Sequence, residues 1–270
     1  MKRFFFSRPA FILFSFAIHA QQSCFEKPSF KAGEVLAYDV YYNWGFIWIH
    51  AATVEFKAEQ RQFHGKPALY LRAYGASLPS YDWLYKVRDV YECYLDPETY
   101  QPLFFSMHAQ EGKFEAKNQY RFNLQKKEVY SYTENSDKPY SEDTIKYNDC
   151  AFDVLSLIYF SRSLTFSGAK MNDKYPFTAL IDNKSHKLFI RYLGKEKAKT
   201  RENKTYNCIK FSALLVEGTI FKGGEDMYIW ATDDANHVPV IVEAEILVGS
   251  VKAVLKSTTG TLAPLNSIQK

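Results

Sequence analysis

The chain has 270 residues, of which 47% are hydrophobic and 17% aromatic, enough apolar side chains for one substantial core and too many for a disordered chain. Its formal net charge is only +4, and basic and acidic residues are interspersed along the chain. This balance excludes the basic surface that a nucleic-acid partner would require.

The first twenty residues have the pattern of a secretory signal peptide. Lys2 and Arg3 give a positive start, residues 4–18 are mainly apolar, and residues 18–20 form an aliphatic-x-small cleavage site. The apolar run is shorter than the roughly 20 residues that cross a bilayer as a helix. We therefore predict cleavage, one exported β domain over residues 21–270, a periplasmic or otherwise exported location, and no transmembrane segment after cleavage.

Four cysteines follow this segment, and an oxidising compartment would let them form disulfides. Their wide spacing argues against a zinc ribbon or a redox motif, and three pairings are possible. Cys24 precedes the first strand and Cys150 opens the predicted helix, whereas the other candidates, Cys93 and Cys208, interrupt strands; this favours a Cys24–Cys150 bond. We do not expect lipidation of Cys24, because the position three residues before it is not aliphatic.

After Gly33 the apolar residues alternate with the period of β-strands, and short turns separate the runs. Short turns imply antiparallel neighbours. The lysine-rich segment 195–204 is predicted to be a solvated hairpin tip. The predicted strands cover residues 36–42, 46–56, 68–74, 87–95, 102–110, 114–124, 128–133, 177–181, 187–193, 205–216, 227–231 and 238–255.

One segment has a helical pattern instead. Asn148-Asp149 can cap a helix over residues 150–164, with Asp153 in its first turns. Apolar residues recur at helical spacing on more than one face of this segment. We therefore expect one buried helix with a β-sheet wrapped around it.

A series of short segments along nearly all of the chain after residue 20 matches a known pattern. The segments are Gly33-Glu34, Tyr41-Tyr42-Asn43-Trp44, Arg88-Asp89, Tyr91, Asp96-Pro97, Glu111-Gly112, Phe152-Asp153-Val154-Leu155-Ser156, Arg162-Ser163, Pro239 and Gly249-Ser250-Val251. In this order and spacing they resemble the exported domain of unknown function 3108. The resemblance implies a mainly β fold, with a large antiparallel sheet curled into an open barrel around helical segments. That fold is similar to that of periplasmic capsule-biogenesis lipoproteins of the YmcC-like type, and it implies no particular activity.

The chain contains none of the common catalytic motifs. G-x-S-x-G, H-E-x-x-H, a Walker loop, a Rossmann fingerprint and an EF-hand are all absent. The histidines stand far apart, and Asp233-Asp234 supplies too few ligands for calcium by itself. We therefore predict no catalytic residue, no metal site and no cofactor.

Charged residues within apolar strands require partners, because an unpaired charge is costly to bury. Arg162 lies on an apolar stripe near the end of the predicted helix, and its candidate partners are Asp153, Asp89 and Glu111. Such a group forms either a structural ion pair or an anchor for the acidic head of a ligand. The strand residues concerned are Arg88, Asp89, Arg121 and Arg191.

Aromatic residues can form a wall for a sugar or an acyl chain, and core packing is the alternative. The members of this wall would be Trp44, Trp48, Trp83, Trp230, Tyr41, Tyr81 and Tyr85. In residues 78–85, Pro and Ser interrupt the strands while aromatic residues remain dense, which indicates a lip over a cavity. The candidate ligand-binding residues are Tyr41, Trp44, Trp83, Arg88, Glu111 and Arg162.

Three functional hypotheses follow. The first is a non-enzymatic binding or chaperone-like protein that holds an amphipathic lipid or glycan of the envelope in the mouth of an open barrel. The second is a polysaccharide-acting enzyme in which Asp89 and Glu111 serve as acid and base. The third is an envelope protein-interaction module that uses a strand edge or the lip to bind an envelope protein.

Overall fold

The described residues, 24–25, 28–44, 47–216, 223–246 and 249–269, form one 15-stranded sheet and one α-helix in a computed structural model of the chain. Alternating apolar side chains give many strands one buried face. The elements are β1 (Val35–Trp44), β2 (Ile47–Phe63), β3 (Lys66–Ser77), β4 (Val87–Leu95), β5 (Pro102–Glu111), β6 (Phe114–Asn123), β7 (Glu128–Asn135), β8 (Lys138–Lys146), β9 (Ala151–Phe152), α1 (Val154–Arg162), β10 (Lys174–Ile181), β11 (Lys184–Lys199), β12 (Thr205–Leu215), β13 (Gly224–Thr232), β14 (Pro239–Glu245) and β15 (Ser250–Thr259).

Strands that are neighbours in the sheet are nearly always neighbours in the chain. The sheet order is β8-β7-β6-β5-β4-β3-β2-β1-β15-β14-β13-β12-β11-β10-β9, so two meanders meet where β1 pairs with β15. The short β9 pairs parallel to β10, and the other described pairs are antiparallel. The predicted mainly β fold built on a large antiparallel meander is confirmed.

The sheet curls without closing. Its edge strands, β8 and β9, do not pair with each other. The turn between β10 and β11 nevertheless returns to the opposite edge, where the Asn183 side-chain amide donates to Thr133 Oγ1 over 3.0 Å. Leu180 of β10 and Val129 of β7 lie in the same buried core. The sheet therefore encloses its core as an open barrel.

The helix begins later and ends earlier than predicted. It runs Val154–Arg162 instead of residues 150–164, because Asp153 caps it in place of Asn148-Asp149. The Asp153 carboxylate accepts hydrogen bonds from two backbone N–H groups of the first turn, both at 2.9 Å. The two residues before Asp153 form β9 and pair with β10.

The helix buries one face against the sheet. Leu155, Tyr159 and Arg162 lie in the interior, whereas Ile158 is 39% exposed. The buried face packs against β3, β4, β9 and β10. The sheet therefore wraps one side of α1, and on the other side Leu157 and Phe160 stay partly buried while Ile158 is exposed.

Several strand predictions differ from the structure. Of the predicted hairpin tip at 195–204, only residues 200–204 form the turn, because residues 195–199 belong to β11 and pair with β12. Residues 238–255 form two strands, β14 and β15, and Gly249 in the turn between them has a φ of +81°, which suits glycine. β8 was not predicted, because Ile145 is its one buried residue and its sequence therefore lacks apolar alternation. An edge strand can be this polar because only one of its sides is paired.

Cys24 and Cys150 form a disulfide, as predicted from their positions. The bond ties the segment before β1 to the residues before α1, across a sequence separation of 126. Cys93 and Cys208, the other disulfide candidates, are free and buried, because they lie in separate parts of the core. Cys93 donates a hydrogen bond to Asp153 at 3.2 Å, and burial raises its pKa well above the ordinary value. A disulfide is compatible with export to an oxidising compartment.

A buried ion pair joins α1 to the residue before β1. The Arg162 guanidinium contacts both carboxylate oxygens of Glu34, at 2.6 and 2.8 Å, and the two side chains are 3% and 0% exposed. None of the predicted partners, Asp153, Asp89 and Glu111, bonds to Arg162. The reason is positional: Arg162 ends the helix beside the start of β1, whereas Asp153 lies at the opposite end of the helix.

The same arginine holds two further segments. Its guanidinium donates to the backbone carbonyls of Ser29 and Asn236 at 3.1–3.2 Å, and its own carbonyl accepts from the Ser29 hydroxyl at 2.7 Å. His237 Nδ1 also contacts the Arg162 carbonyl at 2.7 Å. Burial opposes the charge, but the hydrogen bonds and charge of Glu34 outweigh it and raise the pKa of Arg162. Arg162 is therefore a structural residue.

We predict that Arg162→Ala lowers the free energy of unfolding by about 3–5 kcal/mol, because it leaves the Glu34 carboxylate buried without its partner. Urea denaturation of residues 21–270 measures the change. The matched control is Arg191→Ala, since Arg191 also contacts both oxygens of Glu225, at 2.6 and 2.7 Å, but in a partly exposed pair. Its loss should be much smaller. Equal losses in the two variants would contradict the role of the buried pair.

We predict that Cys24→Ser/Cys150→Ser lowers the free energy of unfolding by about 4 kcal/mol, because the unfolded chain gains the entropy of a long open loop. The same urea titration measures this loss. In wild-type protein unfolded without reductant, iodoacetamide should label Cys93 and Cys208 alone. Peptide mapping that finds label on Cys24 or Cys150 would show that the disulfide is not formed.

Candidate functional site

The two ends of the curled sheet differ. Arg162 and the disulfide lie at one end, which we call the closed end. The opposite end, which we call the mouth, is where the strand registers bring together the ends of eight strands: Trp44 and Ile47, Ser77 and Val87, Glu111 and Phe114, and Glu245 and Ser250. Alternate side chains of each strand face the inside of the barrel.

Side chains on the inner face become more exposed towards the mouth. This change occurs on five strands, β1, β2, β4, β12 and β15. The buried residues nearer the closed end are Leu36, Tyr38, Ala58, Cys93, Phe211 and Leu255, and the half-exposed residues nearer the mouth are Val40, Val54, Ala52, Tyr91, Asp89, Ala213 and Ala253. The inner face is therefore partly accessible to solvent at this end of the barrel, as the wall of a ligand site would be.

Two carboxylates, Asp89 and Glu111, lie on this inner face. Asp89 is opposite Ala109 and Val87 is opposite Glu111, so the carboxylates are diagonal neighbours on adjacent strands, with Cα atoms about 7–8 Å apart. Asp89 Oδ1 accepts a hydrogen bond from the Gln110 N–H at 3.1 Å. Burial, and then the charge of Glu111, raises the pKa of Asp89 to about 6, and burial raises the pKa of Glu111.

Two tyrosines flank the carboxylates. Burial, followed by the charges of Asp89 and Glu111, raises the pKa of Tyr91, so its phenol stays protonated and can donate a hydrogen bond. Burial and then the same two charges also raise the pKa of Tyr85. The Tyr85 ring lies against Gly112, where an added Cβ would come within 2.9 Å of the ring. The mouth therefore combines an apolar lining with a small polar region.

Residues 78–86, which we call the lip, form one rim of the mouth. Pro79–Tyr81 is a single 3-10 turn, and the following residues project outward. Trp83 is 81% exposed, Leu84 66% and Tyr85 52%. The segment thus interrupts strands β3 and β4 as expected, with Trp83, Leu84 and Tyr85 exposed on it.

A polar cluster fixes the lip to the sheet. The Arg88 guanidinium contacts both oxygens of Asp82, at 2.5 and 3.1 Å, and donates to Ser77 Oγ at 3.0 Å. Ser77 Oγ in turn donates to Asp82 at 2.5 Å and accepts from the Val87 N–H at 2.9 Å. Hydrogen bonds from Arg88 and then Ser77 lower the pKa of Asp82. Arg88 therefore positions the lip.

The candidate ligand-binding residues are divided between the two ends and the two faces. Tyr41 lies on the outer face, because it follows the inward-facing Val40; its ring packs on His50 at 5.1 Å and under Arg201 at 4.7 Å. Arg162 is bound to Glu34 at the closed end. The Trp44 side chain lies outside the described residues. Trp83, Arg88 and Glu111 all lie near the mouth, but in different places: Glu111 is on the inner face, Arg88 is bonded to Asp82 of the lip, and Trp83 is exposed to solvent.

The predicted aromatic wall does not form as one surface, because alternate residues of a strand face opposite sides. Trp48 lies on the outer face although Ala52 of the same strand faces inward, because a β-bulge at Ala51 shifts the alternation. Lys252 Nζ is 4.5 Å from the Trp48 ring. Trp230 also lies on the outer face, 4.6 Å from Lys210 Nζ. These contacts cover the two rings with lysine side chains.

The outer face of β6–β8 carries a separate groove of about 560 Å³. Arg121 lines it beside Tyr130, Tyr132 and Glu142. Arg121 is exposed, so it needs no buried partner, and the lining is mostly polar. This groove lies on the opposite face of the sheet from the mouth lining.

Among the residues that the structure describes, no three His, Cys, Asp or Glu side chains are placed to hold a metal ion. Burial raises the pKa of Cys208 to about 12, so its thiol is not a ready ligand or nucleophile. Within the same residues, no helix has the length and apolar character needed to cross a membrane.

Residues 37–256 match the family described as protein of unknown function (DUF3108). The chain belongs to this family. A solved structure similar to this DUF3108 domain is the β-barrel-like protein of domain of unknown function DUF1849 from Brucella abortus, with a TM-score of 0.52 and 9% identity. The match covers 84% of this chain and 96% of that one. At this identity the likeness shows the fold alone. No curated protein matches the chain.

The apolar lining of the mouth was not predicted. Val40, Ala52 and Ala253 have the same alternation as core residues, and exposure is not visible in that pattern. Glu34 was also missed as the partner of Arg162. The available signal was an acidic residue directly before the first apolar strand.

We predict that Asp89→Asn stabilises the DUF3108 domain at pH 8 and has little effect at pH 4. A raised carboxyl pKa means that the folded state disfavours the charged form. The protonated Asp89 carboxyl stabilises the folded state fully below its unfolded pKa of about 4. This contribution is lost as the pH rises through its folded pKa of about 6. Asn keeps an acceptor for the Gln110 N–H.

Urea denaturation at both pH values should show a gain of about 1 kcal/mol at pH 8, a figure reduced because the carboxyl is partly solvated. Asp149→Asn, at an exposed position, is the control and should change stability equally at the two pH values. An Asp89→Asn effect that is the same at pH 4 and pH 8 would show that this carboxyl is not perturbed.

Proposed function

We propose that this domain is a periplasmic, non-enzymatic binding or chaperone-like protein that holds an amphipathic envelope component, a lipid or glycan, at the mouth. The observation that carries the proposal is the half-exposed apolar inner face near the mouth, at Val40, Ala52 and Ala253. Covering such a surface with an apolar chain removes it from water, at about 25 cal/mol per Å².

The polar region of the mouth supports a particular kind of head group. Asp89, Glu111 and Tyr91 lie beside the apolar lining and offer hydrogen-bond acceptors and one phenol donor. The carboxylates would repel an anionic head, and Arg162 is fully engaged at the closed end. A hydroxyl-rich head group, such as a sugar, fits this set best.

Export of the domain is part of the proposal. The Cys24–Cys150 disulfide favours an oxidising compartment such as the periplasm. The signal-peptide prediction falls on residues 1–20, which lie outside the described residues.

One observation favours the second hypothesis, a polysaccharide-acting enzyme. Asp89 and Glu111 are two carboxylates with raised pKa on one face, and glycoside hydrolysis uses two carboxylates, one of them a protonated acid. Asp89→Asn/Glu111→Gln separates the two functions. A binding protein retains apolar-chain cargo in this variant, with weaker binding of the head group, whereas an enzyme loses polysaccharide cleavage.

Native mass spectrometry of the mature protein purified from the periplasm tests the binding function. The expected result is a reproducible extra mass that is released by denaturation and extracts as lipid or glycan. Ala52→Trp/Ala253→Trp fills the apolar lining and should abolish this extra mass.

The matched control is Ala76→Trp, which places the same side chain on the outer face of the neighbouring strand β3. It should keep the bound mass. A clean apo mass for the wild type, or equal bound mass in the filled and control variants, would contradict cargo binding at the mouth.

A further inference from the structure

Exposed apolar side chains are concentrated on the rim of the mouth. Of the ten large hydrophobic residues that are exposed in the described part of the chain, four lie on this rim: Trp83, Leu84, Tyr85 and Ile47, the last being 66% exposed. Ile47 begins β2, and β2 runs beside the lip, since the Leu78 N–H donates to the Ala51 carbonyl at 2.8 Å. The four side chains therefore belong to adjoining parts of the rim.

Hydrogen bonds fix the conformation of the lip. Its backbone turns are closed by the N–H groups of Tyr81, Leu84 and Tyr85, which donate within the segment at 2.8–3.0 Å. The Trp83 indole N–H donates to the Ser80 carbonyl at 2.9 Å, and Arg88 holds Asp82. The apolar side chains are thus held outward by hydrogen bonds, although outward positions leave them in water.

Two exposed lysines flank the lip, whereas the nearby carboxylates of Asp89 and Glu111 face the inside of the barrel. Lys86 ends the lip and Lys113 lies in the adjacent turn, and both are exposed. The two turns are joined, because the Gly112 N–H donates to the Lys86 carbonyl at 2.7 Å. The one acidic residue of the lip, Asp82, is neutralised by Arg88.

This composition fits a lipid surface. Tryptophan and tyrosine prefer the boundary between headgroups and acyl chains, where an apolar ring and a polar edge are both satisfied. Leucine and isoleucine add buried apolar area, and lysines beside them are attracted to anionic headgroups. The mouth opens at the same rim.

We propose that the lip and Ile47 dock the mouth onto a bilayer surface that contains anionic phospholipid. This orientation lets an amphipathic molecule pass between the bilayer and the apolar lining without crossing water. The docking proposal concerns the same mouth as the proposed function. Vesicle binding is measured in the absence of cargo, so membrane docking and cargo binding can be disproved independently.

The test is co-flotation of the mature protein with vesicles. Vesicles that contain phosphatidylglycerol should bind the wild type, and pure phosphatidylcholine vesicles should bind it several-fold more weakly. Leu84→Ser and Trp83→Ser/Leu84→Ser should weaken binding, the double variant by at least about tenfold, because two large side chains lose their place in the interface. Lys86→Glu/Lys113→Glu should remove the preference for the anionic vesicles.

Matched controls lie at the closed end. Met171→Ser removes an apolar side chain that is 68% exposed, close to the 66% of Leu84, and Lys126→Glu reverses an exposed lysine. Both should bind vesicles like the wild type. Ala52→Trp/Ala253→Trp should also keep vesicle binding while losing cargo, which separates this proposal from the function of the mouth.

Three outcomes would overturn the docking proposal. These are failure of the wild type to bind the anionic vesicles, equal binding by Leu84→Ser and Met171→Ser, and crosslinking of the lip to an envelope protein in the absence of vesicle binding. The last result would make the lip a protein-interaction surface.

Discussion

The buried ion pair between Arg162 and Glu34 organises the closed end of the barrel. An isolated charge in this interior would be very costly, and the cost is offset only because the guanidinium also donates to two backbone carbonyls. Those bonds join the helix end, the segment before β1 and the turn before β14. The sheet is thereby held in its curled form at one end.

Other features strengthen the same end. The disulfide anchors the N-terminal segment, and the Phe25 ring packs edge-on against Phe152 and Phe160 at 6.0 and 5.4 Å. At the mouth, by contrast, the inner side chains are half-exposed. The molecule therefore combines a rigid, well-packed end with an open apolar end, an arrangement that provides a preformed site without loss of stability elsewhere.

Much of the fold follows from local patterns in the chain, because apolar alternation and turn residues specify strands directly. β8 is an exception, because this edge strand is polar and lacks apolar alternation. The predicted helix start was misplaced because Asn148, Asp149 and Asp153 are all good capping residues. The choice of Asp153 depends on β9 pairing with β10, which is a tertiary contact.

The candidate site was harder to predict. Arg162 was correctly singled out as a charge that needs a partner, but Glu34 lies 128 residues away and no periodicity connects the two. Asp89 and Glu111 come together through the register of β4 and β5, which a short turn allows but does not specify. Tyr41 and Trp48 illustrate the reverse error, since a shift of one position moves a side chain to the other face.

We propose that an amphipathic molecule occupies the inner face at the mouth, and photo-crosslinking can locate it. The mature protein is irradiated with a diazirine-labelled alkyl glycoside and then analysed by peptide mapping. We expect label on the mouth ends of β1, β2 and β15, around Val40, Ala52 and Ala253, and competition by unlabelled glycoside. Label confined to the outer face, for example at the Arg121 groove, or no saturable label, would contradict it.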